Sequence, residues 1–128
     1  LHRRALDLRR RLHGDRHDTV ASSTNSLGLA LEQQGRYDEA EGLLREAITL
    51  WRALRPGDDP KVAVGLNNLG LLLRRAGRYQ DAEPVLKEAL DIRREAFGSS
   101  HPLLANSLMQ YGQLQGQLGR WDESERYM

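Results

Sequence analysis

The residues best placed to hold a metal ion are two histidines, His13 and His17, which lie four positions apart. Histidines at that spacing share one face of an α-helix and can bind a metal ion there. Gly14 and Asp15 lie between them, and we expect these two residues to break the helix, so that no such face forms. The sequence has no cysteine, which removes thiolate metal sites and disulfides. We therefore predict no metal and no cofactor.

The sequence also lacks a recognisable catalytic set of side chains. His101 precedes a proline at a predicted helix start, where a capping role is typical. Carboxylates such as Glu39 and Asp59 lie at helix starts or turns, where the helix dipole favours negative charge. We find neither a phosphate-binding glycine loop nor a Gly-x-Ser-x-Gly motif. We therefore predict that the chain is not an enzyme.

Arginine clusters are the feature that favours nucleic-acid binding. They recur at Arg9–Arg11, Arg52 and Arg93–Arg94, and helical-repeat arrays can bind a single strand with one base per repeat. Acidic residues are interleaved with these arginines, and 19 basic against 18 acidic residues leave a net charge of only +1. Such a balance gives little attraction to phosphates. Single-stranded nucleic-acid binding is therefore the less favoured alternative, and Trp51, which aligns with Arg93, is interpreted as a packing residue.

No apolar stretch of the sequence approaches the ~18–20 residues that a membrane-spanning helix needs. We therefore expect no membrane partner. The absence of cysteine favours a reducing compartment, so we expect the protein to be cytoplasmic.

The sequence repeats itself with a period of 42 residues. A Gly-Arg-aromatic triplet begins at Gly35, Gly77 and Gly119. An Ala-Glu pair follows at Ala40 and Ala82, and Ser124 takes the alanine position in the third copy. Self-similarity at a fixed period is typical of a stacked array of repeats.

Each period predicts two helices, which we call helix A and helix B. Proline at the first helical position favours helix A starts at Asp59–Pro60 and His101–Pro102. The glycine of each triplet is expected to end helix A in a left-handed conformation. Helix B follows, because apolar residues recur there at three- and four-residue spacing, over roughly 38–54 and 80–97.

Glycines recur inside helix A at Gly28, Gly70 and Gly112. A glycine within a helix costs about 1 kcal/mol relative to alanine, so these positions predict a close approach of helix B at Ala40 and Ala82. Each unit is therefore expected to be an antiparallel helical hairpin, with leucines such as Leu27 and its copies filling the space around the contact.

The repeat divides the chain into a single array segment. Residues 1–17 are predicted to be helix B of a preceding repeat and a turn, 18–59 repeat 1, 60–101 repeat 2, and 102–128 a truncated repeat 3. We expect the chain to be a piece of a longer solenoid whose terminal half-repeats expose apolar residues. Such surfaces favour homo-oligomers.

The repeated motifs of this sequence are, in order, Leu-Gly, then Gly-Arg-Tyr, then Ala-Glu, then an alanine seven residues later. They resemble the tetratricopeptide repeat. The 42-residue period resembles its kinesin-light-chain-like branch, as do the strings at Ala89–Arg94, Gly98–Pro102 and Asn67–Gly70. The resemblance covers essentially the whole chain. It implies an all-α, right-handed α-solenoid of antiparallel helix hairpins that acts as a non-catalytic protein-interaction scaffold.

Helical geometry locates a binding ridge on helix A. At 100° per residue, one set of residues lies roughly 120° from the packing face and has no internal role. Tetratricopeptide-repeat proteins generally hold an extended peptide along this ridge, so the resemblance implies the matching positions in every repeat. The predicted peptide-binding residues are Ser22, Asn25, Leu29, Glu32, Gln33, Val64, Asn67, Leu71, Arg74, Arg75, Asn106, Met109 and Gln113, with Gly116 and Gln117 continuing the ridge in repeat 3.

The side chains of this ridge suit a peptide. The amide of an asparagine such as Asn67 can both donate to and accept from an extended backbone. Arg74 and Arg75 can bind a carboxylate, and Leu71 and Met109 offer apolar contact. We therefore expect a protein or peptide partner with acidic residues and apolar anchors. The alternative is a structural spacer or self-association module of a larger regulatory or signalling protein.

Overall fold

The structure is a computed structural model that describes the backbone of residues 2–55, 57 and 59–126, and the side chains of residues 17–55, 57 and 59–119. Within these ranges the chain is helical and has no strand, as predicted. The five helices are α1 (His2–Gln33), α2 (Tyr37–Leu54), α3 (Pro60–Arg75), α4 (Tyr79–Ala96) and α5 (Pro102–Arg126). They fall into two compact units, Leu1–Gly57 and Asp58–Met128.

A glycine in the left-handed conformation closes the turn of each hairpin, with φ of 80° at Gly35 and 81° at Gly77. At the first turn, the amide of Arg36 donates to the carbonyl of Leu31 at 3.0 Å, and the amide of Gly35 donates to the carbonyl of Glu32 at 2.9 Å. These two bonds form a Schellman motif, which satisfies carbonyls at the end of the helix. The same pattern recurs at Gly77, so the predicted ends of helix A at both glycines are confirmed.

Side-chain caps fix the starts of α3 and α5. A carboxylate oxygen of Asp59 accepts a hydrogen bond from the amide of Lys61 at 2.8 Å. At α5 a ring nitrogen takes this role, since Nδ1 of His101 accepts from the amide of Leu103 at 3.1 Å. The His101 ring also stacks on Phe97, with 4.0 Å between ring centroids. The predicted helix starts at Asp59–Pro60 and His101–Pro102 are confirmed, and His101 serves as a cap.

In the first unit α1 and α2 form an antiparallel hairpin. A Cβ placed on Gly28 would lie 3.0 Å from Leu44, and an Arg55 guanidinium nitrogen lies 3.2 Å from a carboxylate oxygen of Asp18 at the other end of the pair. The predicted close approach at Gly28 is confirmed. The buried hydrophobic residues of this unit are Ala21, Leu31, Ala40, Leu44, Ala47, Ile48 and Trp51.

In the second unit α3 and α4 pack even more closely. A Cβ placed on Gly70 would lie 2.3 Å from Cδ2 of Leu86, so only glycine fits without movement of the leucine. The buried hydrophobic residues of this unit are Val62, Ala63, Leu66, Leu69, Leu72, Leu73, Ala82, Leu86, Ala89, Leu90, Ile92, Leu104 and Leu114.

Polar contacts join α4 to α5 within this apolar core. Nη1 of Arg93 donates to Oγ of Ser107 at 2.7 Å and to the carbonyl of Leu103 at 3.3 Å. The hydroxyl of Tyr111 donates to a carboxylate oxygen of Glu83 at 3.0 Å. Burial lowers the pKa of Arg93, whereas desolvation, followed by the hydrogen bond to Glu83, raises the pKa of Tyr111. The order of these contacts along the two helices makes α5 antiparallel to α4.

The first and last helices are longer than predicted. Helix α1 runs without a break through residues 13–17, and α5 continues through Gly119 to Arg126. The predicted helix break at Gly14 and Asp15 is therefore wrong, and so is the predicted end of helix A at Gly119. A continuous helix keeps its i→i−4 hydrogen bonds, and each glycine costs it only about 1 kcal/mol. The predicted break was the argument against His13 and His17 sharing one helix face, so that argument does not hold. The side chain of His13 lies outside those described.

Among the described residues, parts of α1 and α5 are not covered by a second helix. Leu27 is 52% exposed, although its copy Leu69 is 2% exposed, so the predicted packing role of Leu27 is wrong in the first unit. Nothing lies within 4 Å of a Cβ placed on Gly112. The predicted close approach of a second helix is thus confirmed at Gly28 and Gly70 and is absent at Gly112 within the described residues.

Candidate peptide-binding groove

The second unit brings the predicted ridge residues of α3 and α5 together. Nε of Arg74, near the end of α3, donates to Oε1 of Gln117 on α5 at 2.9 Å. Around this bond a cavity of about 370 Å³ is lined by Arg74, Gln113, Gly116 and Gln117. Gly116 forms an open part of its wall, since nothing lies within 4 Å of a Cβ placed there. All four residues belong to the predicted ridge.

Among the described residues that line this cavity, Arg74 is the only charged one. Its side chain is half-buried, and its one hydrogen bond in the described part of the chain uses Nε. No carboxylate forms an ion pair with it among the described residues. The two terminal nitrogens of its guanidinium are thus left to bind an anion, and a carboxylate fits them with two parallel hydrogen bonds.

Asn67 occupies the same face of α3, seven positions before Arg74. Its side chain is 7% exposed, which makes it far less accessible than the sequence predicts for a clamp on a peptide. Its Oδ1 is buried and has no hydrogen-bond partner among the described residues. An unpaired buried acceptor costs about 1–3 kcal/mol of stability. Oδ1 of Asn67 is thus a hydrogen-bond acceptor that the described residues leave unused.

The remaining ridge residues of the second unit differ in exposure. Val64 and Leu71 are half-buried, and Arg75, Asn106 and Gln113 are exposed. Met109, the α5 counterpart of Asn67, is 57% exposed. Apolar side chains therefore accompany the polar cavity on the same two helices.

The first unit presents its ridge residues on α1 alone. Ser22 and Leu29 are half-buried and Gln33 is exposed, whereas Asn25 and Glu32 are buried. Asn25 and Glu32 also take part in polar or electrostatic contacts. Within this unit, Gln33 is thus the most open of the five ridge positions to a partner.

A second cavity, which sequence reasoning missed, lies at the turn between α3 and α4. It has a volume of about 320 Å³ and is lined by Gly77, Arg78, Tyr79, Gln80, Asp81 and Leu118. Arg78 and Asp81 form an ion pair at 3.0 Å there, so the charges of this wall compensate each other. The Gly-Arg-aromatic repeat marks this position in the sequence but gives no sign of a cavity.

The described arginines considered for nucleic-acid binding differ in burial. Arg93 is buried and binds Ser107 of α5, whereas Arg52 and Arg94 are exposed. Trp51 is 2% exposed, which confirms its interpretation as a packing residue. The side chains of Arg9–Arg11 lie outside the described residues. The recurring motif thus places one arginine inside the fold and others on its surface.

Among the described residues, no three His, Asp or Glu side chains come close enough together to hold a metal ion. No helix in the described part of the chain is long and apolar enough to cross a membrane.

Comparison with known proteins agrees with the helical-repeat architecture. A family model described as tetratricopeptide repeat matches residues 1–53 and 61–128. No curated protein matches the chain significantly.

Two solved structures are similar in fold. A putative kinesin light chain of Podosopora anserina with nearly identical TPR-like repeats has a TM-score of 0.72 and 20% identity, over 84% of this chain and 50% of that one. BtubC (BKLC) from P. vanneervenii has a TM-score of 0.74 and 23% identity, over 95% of this chain and 50% of that one. The chain thus spans about half the length of each, and the predicted all-α solenoid fold and kinesin-light-chain-like resemblance are confirmed.

Proposed function

Because the chain belongs to the tetratricopeptide-repeat family, whose repeats are generally non-enzymatic protein-interaction scaffolds, we propose that it binds an extended peptide segment of a protein partner. The proposed site is the groove between α3 and α5. The observation that carries the proposal is Arg74, half-buried, held through Nε by Gln117 and without an ion pair among the described residues.

Charge complementarity favours an acidic residue in the peptide. Gln117 fixes the guanidinium of Arg74 by one hydrogen bond. The Arg74 side chain therefore loses less conformational entropy when a ligand binds. A carboxylate bound to the two terminal nitrogens would form charge-assisted hydrogen bonds, each stronger than a neutral one. None of the described residues that line the cavity is acidic, so none of them opposes the carboxylate of the ligand.

Apolar and amide groups support the remaining contacts. Met109 and Leu71 present apolar surface on the two helices that flank the cavity, which suits an apolar anchor next to the acidic residue. Gln113 offers an amide donor and acceptor to the peptide backbone. Asn67 would contribute its unpaired Oδ1 after a small rotation of the side chain, because the atom is buried in the free protein.

The test uses two panels of fluorescein-labelled synthetic peptides, in which an aspartate or glutamate is flanked by leucine, or the matching asparagine or glutamine replaces it. We expect the chain to bind members of the acidic panel more tightly. Arg74→Glu should weaken that binding roughly tenfold to a hundredfold, the equivalent of one charge-assisted hydrogen bond of about 1.5–3 kcal/mol. Fluorescence anisotropy measures both affinities.

Arg94→Glu is the matched control, because it makes the same change of charge on an exposed arginine of the same unit. It should leave the affinity nearly unchanged. Equal loss in the two variants would mean that the groove attracts peptides only through net charge, and no difference between the panels would refute a carboxylate subsite at Arg74.

The alternative function is a structural spacer or self-association module of a larger protein, and the observation that favours it is the uncovered apolar surface on α1 and α5. In that case neither peptide panel binds, and the oligomeric state depends on protein concentration.

Single-stranded nucleic-acid binding has less support, because Arg93 is buried. We also propose a cytoplasmic location, which the lack of cysteine in the sequence favours.

A further inference from the structure

We propose that the cavity at Arg74 binds the phosphoryl group of a phosphorylated serine in a partner peptide, in preference to a carboxylate, and that Gly116 provides the room for this group. The inference rests on the proposed function, because it takes the groove between α3 and α5 as the peptide-binding site. It adds the chemical class of the ligand, and it makes binding depend on phosphorylation of the partner.

The cavity is rich in hydrogen-bond donors. Nε of Arg74 donates to Oε1 of Gln117, which orients that amide and leaves its Nε2 without a hydrogen bond among the described residues. The side chain of Gln113 likewise forms no hydrogen bond within the described part of the chain. The two terminal nitrogens of Arg74 also have no carboxylate partner there. Guanidinium and amide groups from three side chains therefore line one cavity.

The number of oxygens in the ligand decides how many of these donors are used. A carboxylate has two oxygens, and both are engaged when it forms two parallel hydrogen bonds with a guanidinium. A phosphoryl group is tetrahedral and has three terminal oxygens, with a charge of about −1.5 to −2 at pH 7. Two of its oxygens can bind Arg74, and the third can accept from the amide of Gln113 or Gln117. The donors of the cavity thus suit a phosphoryl group better than a carboxylate.

Gly116 supplies space for the third oxygen. It lines the cavity, and nothing lies within 4 Å of a Cβ placed there, so packing among the described residues does not require a glycine. At the equivalent positions one and two periods earlier the chain has Arg74 and Glu32, which have long side chains. A glycine within a helix costs about 1 kcal/mol relative to alanine, and the open cavity is what this glycine provides in return.

The charges on the two groove helices favour a dianion. Residues 60–75 of α3 and 102–119 of α5 include no Asp or Glu, whereas α3 carries Lys61, Arg74 and Arg75. These two segments therefore present no carboxylate that repels a phosphoryl group, and two of the three positive charges lie at the end of α3 that borders the cavity. A phosphoryl group, with the larger negative charge, gains more from this field than a carboxylate does.

Three fluorescein-labelled peptides of one leucine-flanked sequence test the proposal on the full chain, with serine, aspartate or phosphoserine at the central position. In fluorescence anisotropy near neutral pH we expect the phosphoserine peptide to bind about tenfold more tightly than the aspartate peptide, and the serine peptide to bind most weakly. The phosphoserine peptide should lose most of this advantage as the pH falls through the second phosphate pKa of about 6. The aspartate peptide controls for titration of the protein, because the ordinary aspartate pKa is about 3.9.

Gly116→Leu tests the role of the glycine, with Gly112→Leu as the matched control. Both glycines are exposed on α5 with nothing within 4 Å of a Cβ, so each change raises helix propensity equally. Gly112 is not among the residues that line the cavity. Gly116→Leu should reduce the preference for phosphoserine over aspartate to about twofold or less, whereas Gly112→Leu should leave it unchanged. Arg74→Gln should also remove the preference, and circular dichroism checks that each variant stays helical.

The possible results separate this inference from the proposed function. Equal affinities for the phosphoserine and aspartate peptides would overturn the phosphoryl preference and leave peptide binding in the groove intact. Failure of all three peptides to bind would overturn both. A preference that survives Gly116→Leu or Arg74→Gln would overturn the inference as well, because the phosphoryl group would then bind elsewhere on the chain.

Discussion

The contact between α3 and α4 predicts that Gly70→Ala destabilises the second unit, although alanine is the better helix former. The new Cβ would lie 2.3 Å from Cδ2 and 2.4 Å from Cγ of Leu86, a separation that requires the leucine or the helix to move. Overpacking of a core costs about 1–3 kcal/mol, whereas alanine gains about 1 kcal/mol of helix propensity. We expect a net loss of up to about 2 kcal/mol.

Urea denaturation followed by circular dichroism measures this effect, with Gly42→Ala as the matched control. Gly42 is exposed within α2, and nothing lies within 4 Å of a Cβ placed there, so the control should gain about 1 kcal/mol. A Leu86→Ala background should abolish the penalty of Gly70→Ala, because the two effects are coupled through one contact. If Gly70→Ala stabilised the chain as Gly42→Ala does, the close approach of the two helices would be refuted.

Three further predictions concern α5 and its contacts. His101→Ala should cost about 1 kcal/mol through loss of the cap, and His101→Asp should restore it, as urea denaturation would show. Arg93→Ala should cost about 2–4 kcal/mol, since it leaves a cavity and an unpaired Ser107 hydroxyl, whereas Arg94→Ala should change stability by less than about 0.5 kcal/mol. The raised pKa of Tyr111 contributes stability that is complete below the ordinary tyrosine pKa of 10.0 and is lost as pH rises through the higher folded-state pKa. Tyr111→Phe should therefore reduce the alkaline loss of stability in denaturation curves measured at increasing pH, and an unchanged pH dependence would contradict the assignment.

Most of the fold could be predicted from the sequence, because the turn glycines and the 42-residue repeat mark the hairpins. Gly35 and Gly77 end their helices as expected because a left-handed turn there allows the next helix to pack against Gly28 or Gly70. The same triplet at Gly119 does not end α5. A triplet permits a turn but does not impose one, and the choice depends on whether a packed hairpin gains more than a continuous helix. The period of the sequence does not show which of these two structures has the lower free energy.

The candidate site shows a similar division. The resemblance to the tetratricopeptide repeat placed Arg74 and Gln117 on the ridge, and the structure joins them by a hydrogen bond. The burial of Asn67 could not be predicted, because the spacing of residues on one helix does not tell how closely neighbouring helices enclose a side chain. The cavity at Gly77 was missed for the same reason, since it depends on how α5 packs near the turn rather than on any one motif.

The most direct test of peptide binding is a titration of the isotope-labelled chain with the tightest peptide of the acidic panel, followed by nuclear magnetic resonance. The side-chain Nε–H signal of Arg74 and the side-chain amide signals of Gln113 and Gln117 report on the cavity itself. We predict that these three signals shift together and saturate with the peptide, while the Nε–H signal of Arg94 stays in place. Saturable shifts confined to other surfaces, or no shift with any acidic peptide, would contradict the account.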